Sequence, residues 1–270
     1  MVSPLQKLKT MLKHVPPEEI PQLLASSQEG LPDIDEKPLL SYFDRHAIVI
    51  RTLVKSLGIT SDELLKSIRY HEARRGREIV AEYEKILLKT GLTEKTDLPF
   101  RGVDLLEFGA GPNAVALAFQ EKGALVTSLD IRDGRVFHSE SNPFVMASGY
   151  SLPFETGFFD AVSQTSVLHH LESPKNGILE VLRVLKTGGV LFIQEDLLSG
   201  NLLRDKLMRI VDDAISGEIG SSQQRTHGSK EEWLQLFSEL GLDLIGEDLL
   251  KPSFSGVSID KGFFVLRKKQ

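Results

Sequence analysis

The spacing of apolar residues divides the chain into two regions. Over residues 1–100 apolar residues recur at helical intervals, and no strand-like alternation occurs. One long helix is predicted to begin at Ser61, with Asp62 and Glu63 in its first turn, and to end before Gly91. We therefore predict an all-helical N-terminal region over residues 1–100, as a cap or accessory to the rest of the chain.

From residue 101 onward short apolar runs alternate with helical segments, which is typical of an α/β domain with parallel strands. Helices are predicted to begin at Ala114, at Pro174 and, with a capping-box pattern, at Ser229, and another is predicted over 202–215. This region, residues 101–270, is interpreted as one domain. Its predicted strands are 103–108, 124–129, 144–147, 159–163, 190–194, 242–245 and 262–267.

A glycine-rich turn follows the first predicted strand and leads into a helix. The turn reads Gly109-Ala-Gly111-Pro-Asn, and the helix begins at Ala114. Glycine allows a tight backbone path and lets a ligand approach the main-chain amides, so this arrangement predicts a nucleotide-cofactor cradle. Taken alone, the turn also matches the dinucleotide fingerprint, with Asp130 at the distance expected of a ribose-binding acid.

Glu107, two residues before the first glycine, discriminates between cofactors. A dinucleotide places its pyrophosphate at this helix N-terminus, where a neighbouring carboxylate would repel it. A cofactor with an ammonium group and a sulfonium favours an acid at the same place. The charge therefore favours S-adenosylmethionine over a nicotinamide dinucleotide.

At these residues the sequence resembles the class I S-adenosylmethionine-dependent methyltransferases, of the type that acts on small molecules. The resemblance covers about 103–194 and rests on five short motifs that occur in the expected order. The motifs are Glu107-Phe-Gly109-Ala-Gly111, Asp130 at the end of the second strand, Leu152-Pro-Phe with Phe159-Asp-Ala-Val, Leu168-His-His-Leu, and Leu185-Lys-Thr-Gly-Gly.

The resemblance implies a Rossmann-like seven-stranded sheet with helices on both faces and an antiparallel final strand inserted beside its neighbour. It also implies which residues bind the cofactor. The implied set is Glu107 for the ammonium, Gly109, Ala110 and Gly111 for the methionyl portion and ribose, Asp130 for both ribose hydroxyls, Ile131 for the adenine face, Ser148 and Gly149 in the adenine region, and Gln164 and Thr165 at the methionyl end.

Two positions depart from the pattern of the family. Asn113 stands where the family often carries a third glycine, and Ser148 stands where an aspartate often binds the adenine amino group. A hydroxyl or backbone contact would replace the aspartate. The segment Gln164-Thr-Ser-Val also differs from the Asp/Asn-Pro-Pro-aromatic pattern of amino methyltransferases that act on nucleic-acid bases.

Candidate substrate-side groups follow the fourth and fifth predicted strands. His169 and His170 would orient a substrate or accept a proton, and the alternative is that one of them caps or packs the next helix. Glu195 and Asp196 lie either at the ligand-binding rim of the sheet or in a solvated loop. His227 is expected to serve packing.

Composition excludes several classes of function. The chain has 270 residues, a net charge of −6 and no cysteine. The acidic balance argues against a nucleic-acid partner, and the absence of cysteine excludes thiolate metal sites; no metal is predicted. Because the N-terminus has no apolar signal core and no apolar run is long enough to cross a bilayer, we expect a cytoplasmic protein without a membrane partner.

These observations predict methyl transfer from S-adenosylmethionine to a small-molecule nucleophile through oxygen, nitrogen or carbon. An NAD(P)-dependent oxidoreductase and a non-catalytic S-adenosylmethionine-binding protein are the alternatives. The helical region would gate the site or form a homodimer contact. Its Tyr83 either closes over the cofactor or belongs to the core.

Overall fold

The computed structural model describes residues 61–92, 99–201, 205, 226–250 and 260–269. The helices predicted before residue 61 and over 202–215 lie outside the described residues. The elements are helix α1 (Ser61–Lys89), strand β1 (Asp104–Phe108), helix α2 (Ala114–Glu121), strands β2 (Leu125–Asp130), β3 (Phe144–Met146) and β4 (Phe159–Thr165), a 3-10 helix (Leu168–His170), helix α3 (Pro174–Val184), strand β5 (Leu185–Leu197), helix α4 (Lys230–Glu239), and strands β6 (Leu242–Leu250) and β7 (Asp260–Lys268).

The strands form one seven-stranded sheet in the order β3-β2-β1-β4-β5-β7-β6. Strands β1 to β5 pair in parallel, and β7 lies antiparallel between β5 and β6. The predicted Rossmann-like sheet with an inserted antiparallel strand is therefore confirmed. Because β7 runs in the opposite direction, its first residue, Asp260, pairs with Leu197 at the carboxyl end of β5.

Successive strand residues point to opposite faces of the sheet, and each face carries its own helices. Leu105 packs in a cluster with residues of α1 and α2, whereas Leu106 packs in a cluster with residues of α3 and α4. Phe192 and Ile193 divide between the two clusters in the same way. Both faces of the parallel strands are therefore buried, which explains why these strands read as continuous apolar runs.

Helix α1 is packed into the same core as the sheet. Tyr83 is fully buried, and its ring lies 5.0 Å from the ring of Phe192 and 5.6 Å from that of Phe263. Gly76 brings α1 close to α2, since a β-carbon there would lie 2.4 Å from the carbonyl oxygen of Ala114. Tyr83 is therefore a core residue, and the division of the chain at residue 100 stays a prediction.

None of the helices within the described ranges is both long enough and apolar enough to span a membrane.

Candidate active site

The turn between β1 and α2 takes a path that glycine makes possible. Gly109 has a φ of +75° and Gly111 a φ of +48°. The amides of Gly109 and Ala110 donate to the carbonyl of Leu129 at 2.8 and 2.9 Å, which fixes the turn against the end of β2. A β-carbon on Gly109 would lie 2.4 Å from Cγ2 of Val167, whereas one on Gly111 would meet no atom within 4 Å. The turn is thus packed on one side and open above Gly111.

Asn113 shows how the turn keeps its path without a third glycine. Its φ of 71° lies in the left-handed region, which asparagine adopts more readily than most residues. The buried side chain accepts a hydrogen bond of 2.6 Å from the Ser128 hydroxyl and donates one of 2.9 Å to the carbonyl of Phe137. These two bonds hold the conformation that glycine would adopt freely.

Glu107 lies near the end of β1 and is 1 % exposed. Its strand neighbours in register are Ser128 on β2 and Ser163 on β4. Oε2 of the carboxyl group has no hydrogen-bond partner among the described residues. Burial raises the pKa of Glu107 to about 8, and Ser163 offsets only part of that effect. The site therefore holds an acid that a positive charge would stabilise.

Asp130 ends β2 and lies directly over the glycine turn. Its Oδ2 accepts a hydrogen bond of 2.9 Å from the amide of Gly111, and its Oδ1 accepts one of 3.3 Å from the amide of Arg132. Both carboxylate oxygens keep lone pairs for further donors, since an ionised carboxyl group accepts about four hydrogen bonds. The carboxylate is thus oriented by the backbone at the edge of the cradle.

The residues predicted around the adenine lie on the next strand connections. Ile131 is 73 % exposed and follows Asp130 directly. Ser148 is also exposed, and its hydroxyl accepts a hydrogen bond of 3.3 Å from the amide of Tyr150. Gly149 packs against the ring of Phe108, where a β-carbon would come within 2.7 Å of Cζ. An exposed apolar side chain and an exposed hydroxyl therefore follow the carboxyl ends of β2 and β3.

Gln164 and Thr165 end β4 next to β1. Gln164 pairs in register with Phe108 and is fully buried. Neither polar atom of its side chain has a hydrogen-bond partner within the described ranges, and the same is true of the buried Thr165 hydroxyl. Buried polar groups are normally paired. With Glu107, they leave unpaired donors and acceptors at the ends of β1 and β4, which a polar ligand would satisfy.

His169 is also buried at this edge of the sheet. It belongs to the 3-10 helix after β4, and its Nδ1 lies 2.5 Å from Oε2 of Glu195 on β5. Oε1 of Glu195 accepts hydrogen bonds from the amides of Val167 and Leu168 at 3.0 and 2.7 Å. Glu195 therefore holds both the start of the 3-10 helix and its histidine.

Further charged and aromatic groups surround this pair. The ring centroids of His170 and His227 lie 4.2 and 4.5 Å from that of His169. Asp196 is 7 % exposed, and its Oδ1 lies 2.5 Å from Nζ of Lys261. Burial alone would raise the pKa of Asp196, but the Lys261 ammonium, with smaller contributions from His169 and Arg75, holds it below its usual value.

The sequence alone did not predict the contact between His169 and Glu195. It placed Glu195 and Asp196 either at the rim or in a solvated loop, and the structure buries both. The available signal was that two acids end a buried strand, where an unpaired charge is costly. The structure brings the predicted residues to the carboxyl ends of β1 to β4, while His170 is only half-buried beside His169.

Residues 106–193 match a family model described as a methyltransferase domain. The chain contains a class I methyltransferase domain. Together with the strand order of the sheet, this match confirms S-adenosylmethionine as the cofactor of the domain. The roles of the individual residues stay predictions.

Curated proteins that are similar in sequence to this domain are also named methyltransferases. A demethylmenaquinone methyltransferase of Clavibacter sepedonicus is 33 % identical over 110 residues, covering 38 % of this chain and 45 % of that protein. An uncharacterized methyltransferase of Mycobacterium tuberculosis is 30 % identical over 151 residues, covering 53 % and 57 %. The chain thus spans about half the length of these curated relatives.

A solved structure shares the fold of the methyltransferase domain at lower identity. It is a Haemonchus contortus phosphoethanolamine N-methyltransferase 2 in complex with phosphomonomethylethanolamine and S-adenosylhomocysteine. The TM-score is 0.53 at 15 % identity, and the match covers 70 % of this chain and 53 % of that one. At this identity the likeness concerns the fold alone.

Proposed function

We propose that this chain transfers a methyl group from S-adenosylmethionine to a small-molecule nucleophile. The observation that carries the proposal is the buried Glu107, whose Oε2 lacks a hydrogen-bond partner among the described residues next to an open glycine turn. A dinucleotide would bring a pyrophosphate to this acid, and an oxidoreductase is therefore disfavoured. An ammonium group would instead supply the missing partner.

The residues present fit the cofactor in both shape and polarity. Gly111 leaves open space where a β-carbon would stand, and Asp130 is oriented over that space by the Gly111 amide. We assign Asp130 to the ribose hydroxyls and Glu107 to the ammonium, reached directly or through water. The remaining proposed contacts are the backbone of Gly109 and Ala110 for the methionyl portion, Ile131 for the adenine face, Ser148 and Gly149 for the adenine edge, and Gln164 and Thr165 for the methionyl end.

The cofactor, when bound, supplies a methyl group that its sulfonium has already activated. The protein therefore has to orient the acceptor and exclude water rather than create a strong electrophile. His169 and His170 are the proposed acceptor-side residues because they follow the carboxyl end of β4, the strand that carries Gln164 and Thr165.

The identity of the acceptor is open among small molecules. The name of the Clavibacter sepedonicus relative makes demethylmenaquinone and related naphthoquinones the first compounds to screen. The net charge of −6 gives no electrostatic reason to expect nucleic acid. Phenols, amines and thiols complete the acceptor panel.

Calorimetric titration with S-adenosylmethionine, S-adenosylhomocysteine and NAD tests the cofactor assignment. We expect saturable binding of the first two and none of NAD. Binding of NAD alone would contradict the role given to Glu107. Incubation with methyl-labelled cofactor and the acceptor panel then tests turnover, and binding without transfer to any acceptor would favour a non-catalytic binding protein.

A further inference from the structure

Glu195 makes polar contacts through both of its carboxylate oxygens. Three groups surround its two carboxylate oxygens: the amides of Val167 and Leu168 at Oε1 and the imidazole of His169 at Oε2. Both Glu195 and His169 are fully buried. Two amide donors hold the carboxylate in place, so its second oxygen has a fixed direction toward the ring.

This contact selects one state of the imidazole. Two backbone amides already donate to Glu195, which favours a carboxylate that only accepts hydrogen bonds, and Nδ1 of His169 is then the donor in the 2.5 Å contact with Oε2. In the neutral ring the other nitrogen, Nε2, is then the one that can take up a proton. A carboxylate at Nδ1 also stabilises the imidazolium that forms when Nε2 is protonated.

The pair lies where an acceptor would meet the cofactor. His169 follows Thr165, the last residue of β4, by four positions, and Glu195 lies on the neighbouring strand β5, near its carboxyl end. The two lie near the ends of adjacent parallel strands, at the same edge as the glycine turn. Ligands of open α/β sheets bind at this edge.

We propose that Glu195 positions His169 to accept a proton from the methyl acceptor, and that the acceptor is a compound with a weakly acidic hydroxyl group. The inference rests on the proposed function and adds the chemistry of the acceptor to it. Phenols and enols fit this class. Acceptors whose nucleophilic atom carries no proton, such as a pyridine nitrogen, have no use for the pair.

The step balances without a further reagent. As the acceptor's O–H bond breaks, the proton passes to Nε2 of His169, and the electron pair of the oxygen, or of a carbon conjugated with it, forms the bond to the methyl carbon. The bond between the methyl carbon and the sulfur breaks, and its electron pair stays on the sulfur. The positive charge ends on the imidazolium beside the Glu195 carboxylate, and water later removes the proton.

Other ionisable groups near the pair contribute to its pH dependence. They come from the 3-10 helix, the segment before α4, and the strands and helix packed around them. They are His170, His227, Asp196, Lys261, Arg75 and Tyr83.

The first test needs no acceptor. Nitrogen-15 NMR of the histidine rings identifies which ring nitrogen carries the proton, and comparison with His169→Gln assigns the resonances among the seven histidines. We expect the neutral ring of His169 to carry its proton on Nδ1, and to carry it on Nε2 in Glu195→Gln, whose amide donates to Nδ1. A proton on Nε2 in the unaltered protein would overturn the proposal even if S-adenosylmethionine binds.

The second test compares two probes, 1,4-dihydroxynaphthalene and nicotinamide. Glu195→Gln keeps an oxygen for the amides of Val167 and Leu168, so we expect S-adenosylmethionine affinity to be unchanged. We expect kcat for 1,4-dihydroxynaphthalene to fall about 100-fold or more, the scale of general-base catalysis, with the acidic limb of its pH profile moved to lower pH.

Asp196→Asn is the matched control: this neighbouring acid contacts Lys261 rather than the histidine, so its loss should move the pH profile less than Glu195→Gln does. Methylation of nicotinamide alone, or of neither probe by protein that binds the cofactor, would refute the acceptor class. Failure to bind S-adenosylmethionine would instead refute the proposed function.

Discussion

The two halves of the site, the cofactor side and the acceptor side, each contain one buried glutamate. The two glutamates differ in how many of their carboxylate oxygens have hydrogen-bond partners. Glu107, on the cofactor side, has an Oε2 without a hydrogen-bond partner in the described part of the chain. Glu195, on the acceptor side, has both oxygens engaged, with three contacts of 3.0 Å or less. One oxygen of Glu107 thus lacks a partner among the described residues, whereas both oxygens of Glu195 have one.

The difference indicates how each half works. A buried acid with an oxygen that has no partner costs stability in the free protein, and a positively charged ligand that supplies the partner recovers that cost on binding. A fully paired acid is rigid and holds another side chain in place, which suits positioning. The cofactor half therefore gains its partner on binding, whereas the acceptor half is already assembled.

The largest effect is expected where the two halves touch, at the contact of Gly109 with Val167. Gly109→Ala would place a β-carbon 2.4 Å from Cγ2 of Val167 at a φ of +75°. Left-handed strain of about 1–2 kcal/mol and overpacking of about 1–3 kcal/mol should together lower the free energy of unfolding by about 2–5 kcal/mol. Denaturant unfolding measures this loss.

Alanine variants of two other glycines serve as controls that separate backbone strain from steric contact. Gly200 has a φ of +77° and Gly111 a φ of +48°, and a β-carbon on either meets no atom within 4 Å. Their alanine variants should lose only the strain, about 1–2 kcal/mol. Gly111→Ala should in addition weaken S-adenosylmethionine, since the β-carbon enters the open cradle. Equal losses for Gly109→Ala and Gly200→Ala would show that the halves are not tightly packed.

Asp130→Ala should have the next largest effect, on binding. Loss of the ribose acceptor should weaken S-adenosylmethionine by about 1.5–3 kcal/mol, the scale of hydrogen bonds to a charged group. Calorimetry on the folded variant measures the change. Unchanged affinity would overturn the ribose assignment.

Two controls sharpen this result. Asp133→Ala removes a nearby acid whose side chain contacts Arg135 instead, and should leave affinity unchanged. Asp130→Asn keeps an oxygen for the amide of Gly111 but loses acceptor capacity for the ribose. An affinity between those of the alanine variant and the unaltered protein would show that Asp130 serves both the turn and the ribose.

The cofactor half could be predicted from the sequence because its parts are local. The glycines of the turn are neighbours in the chain, and Asp130 ends the next strand. The departure at Asn113 is the exception, because the side-chain hydrogen bonds that hold its left-handed conformation come from Ser128 and Phe137, 15 and 24 positions away, and only the structure shows them. Because the motif residues themselves lie close together in the sequence, the fold class and the cofactor could both be predicted from it.

The residues of the acceptor half were predicted as candidates, but their contacts were not, because the residues are distant in the chain. Glu195 lies 26 positions after His169, and His227 lies farther still, so only the packing of β4, β5 and the segment before α4 brings them together. Tyr83 shows the same limit in α1, where the pattern allowed either a core or a lid residue. No spacing rule links residues across strands that a helix separates.

The sharpest test of the opening comparison concerns Glu107 and pH. Burial raises the pKa of Glu107 from 4.5 to about 8, so the folded protein holds a proton that the unfolded chain has released between those values. Stability from this group is full below pH 4.5 and falls by about 1.4 kcal/mol per pH unit as pH rises toward 8.

Glu107→Gln should remove this slope, because the amide does not ionise. Relative to the unaltered protein, the variant should gain stability from pH 6 to pH 8, as denaturant unfolding at several pH values measures, yet bind S-adenosylmethionine about tenfold or more weakly. Glu195→Gln should behave in the opposite way and lose stability, since it weakens contacts that are already made. If both variants lose stability equally at pH 8, Glu107 is paired in the free protein, and the contrast between an acid that awaits its partner and one that has it does not hold.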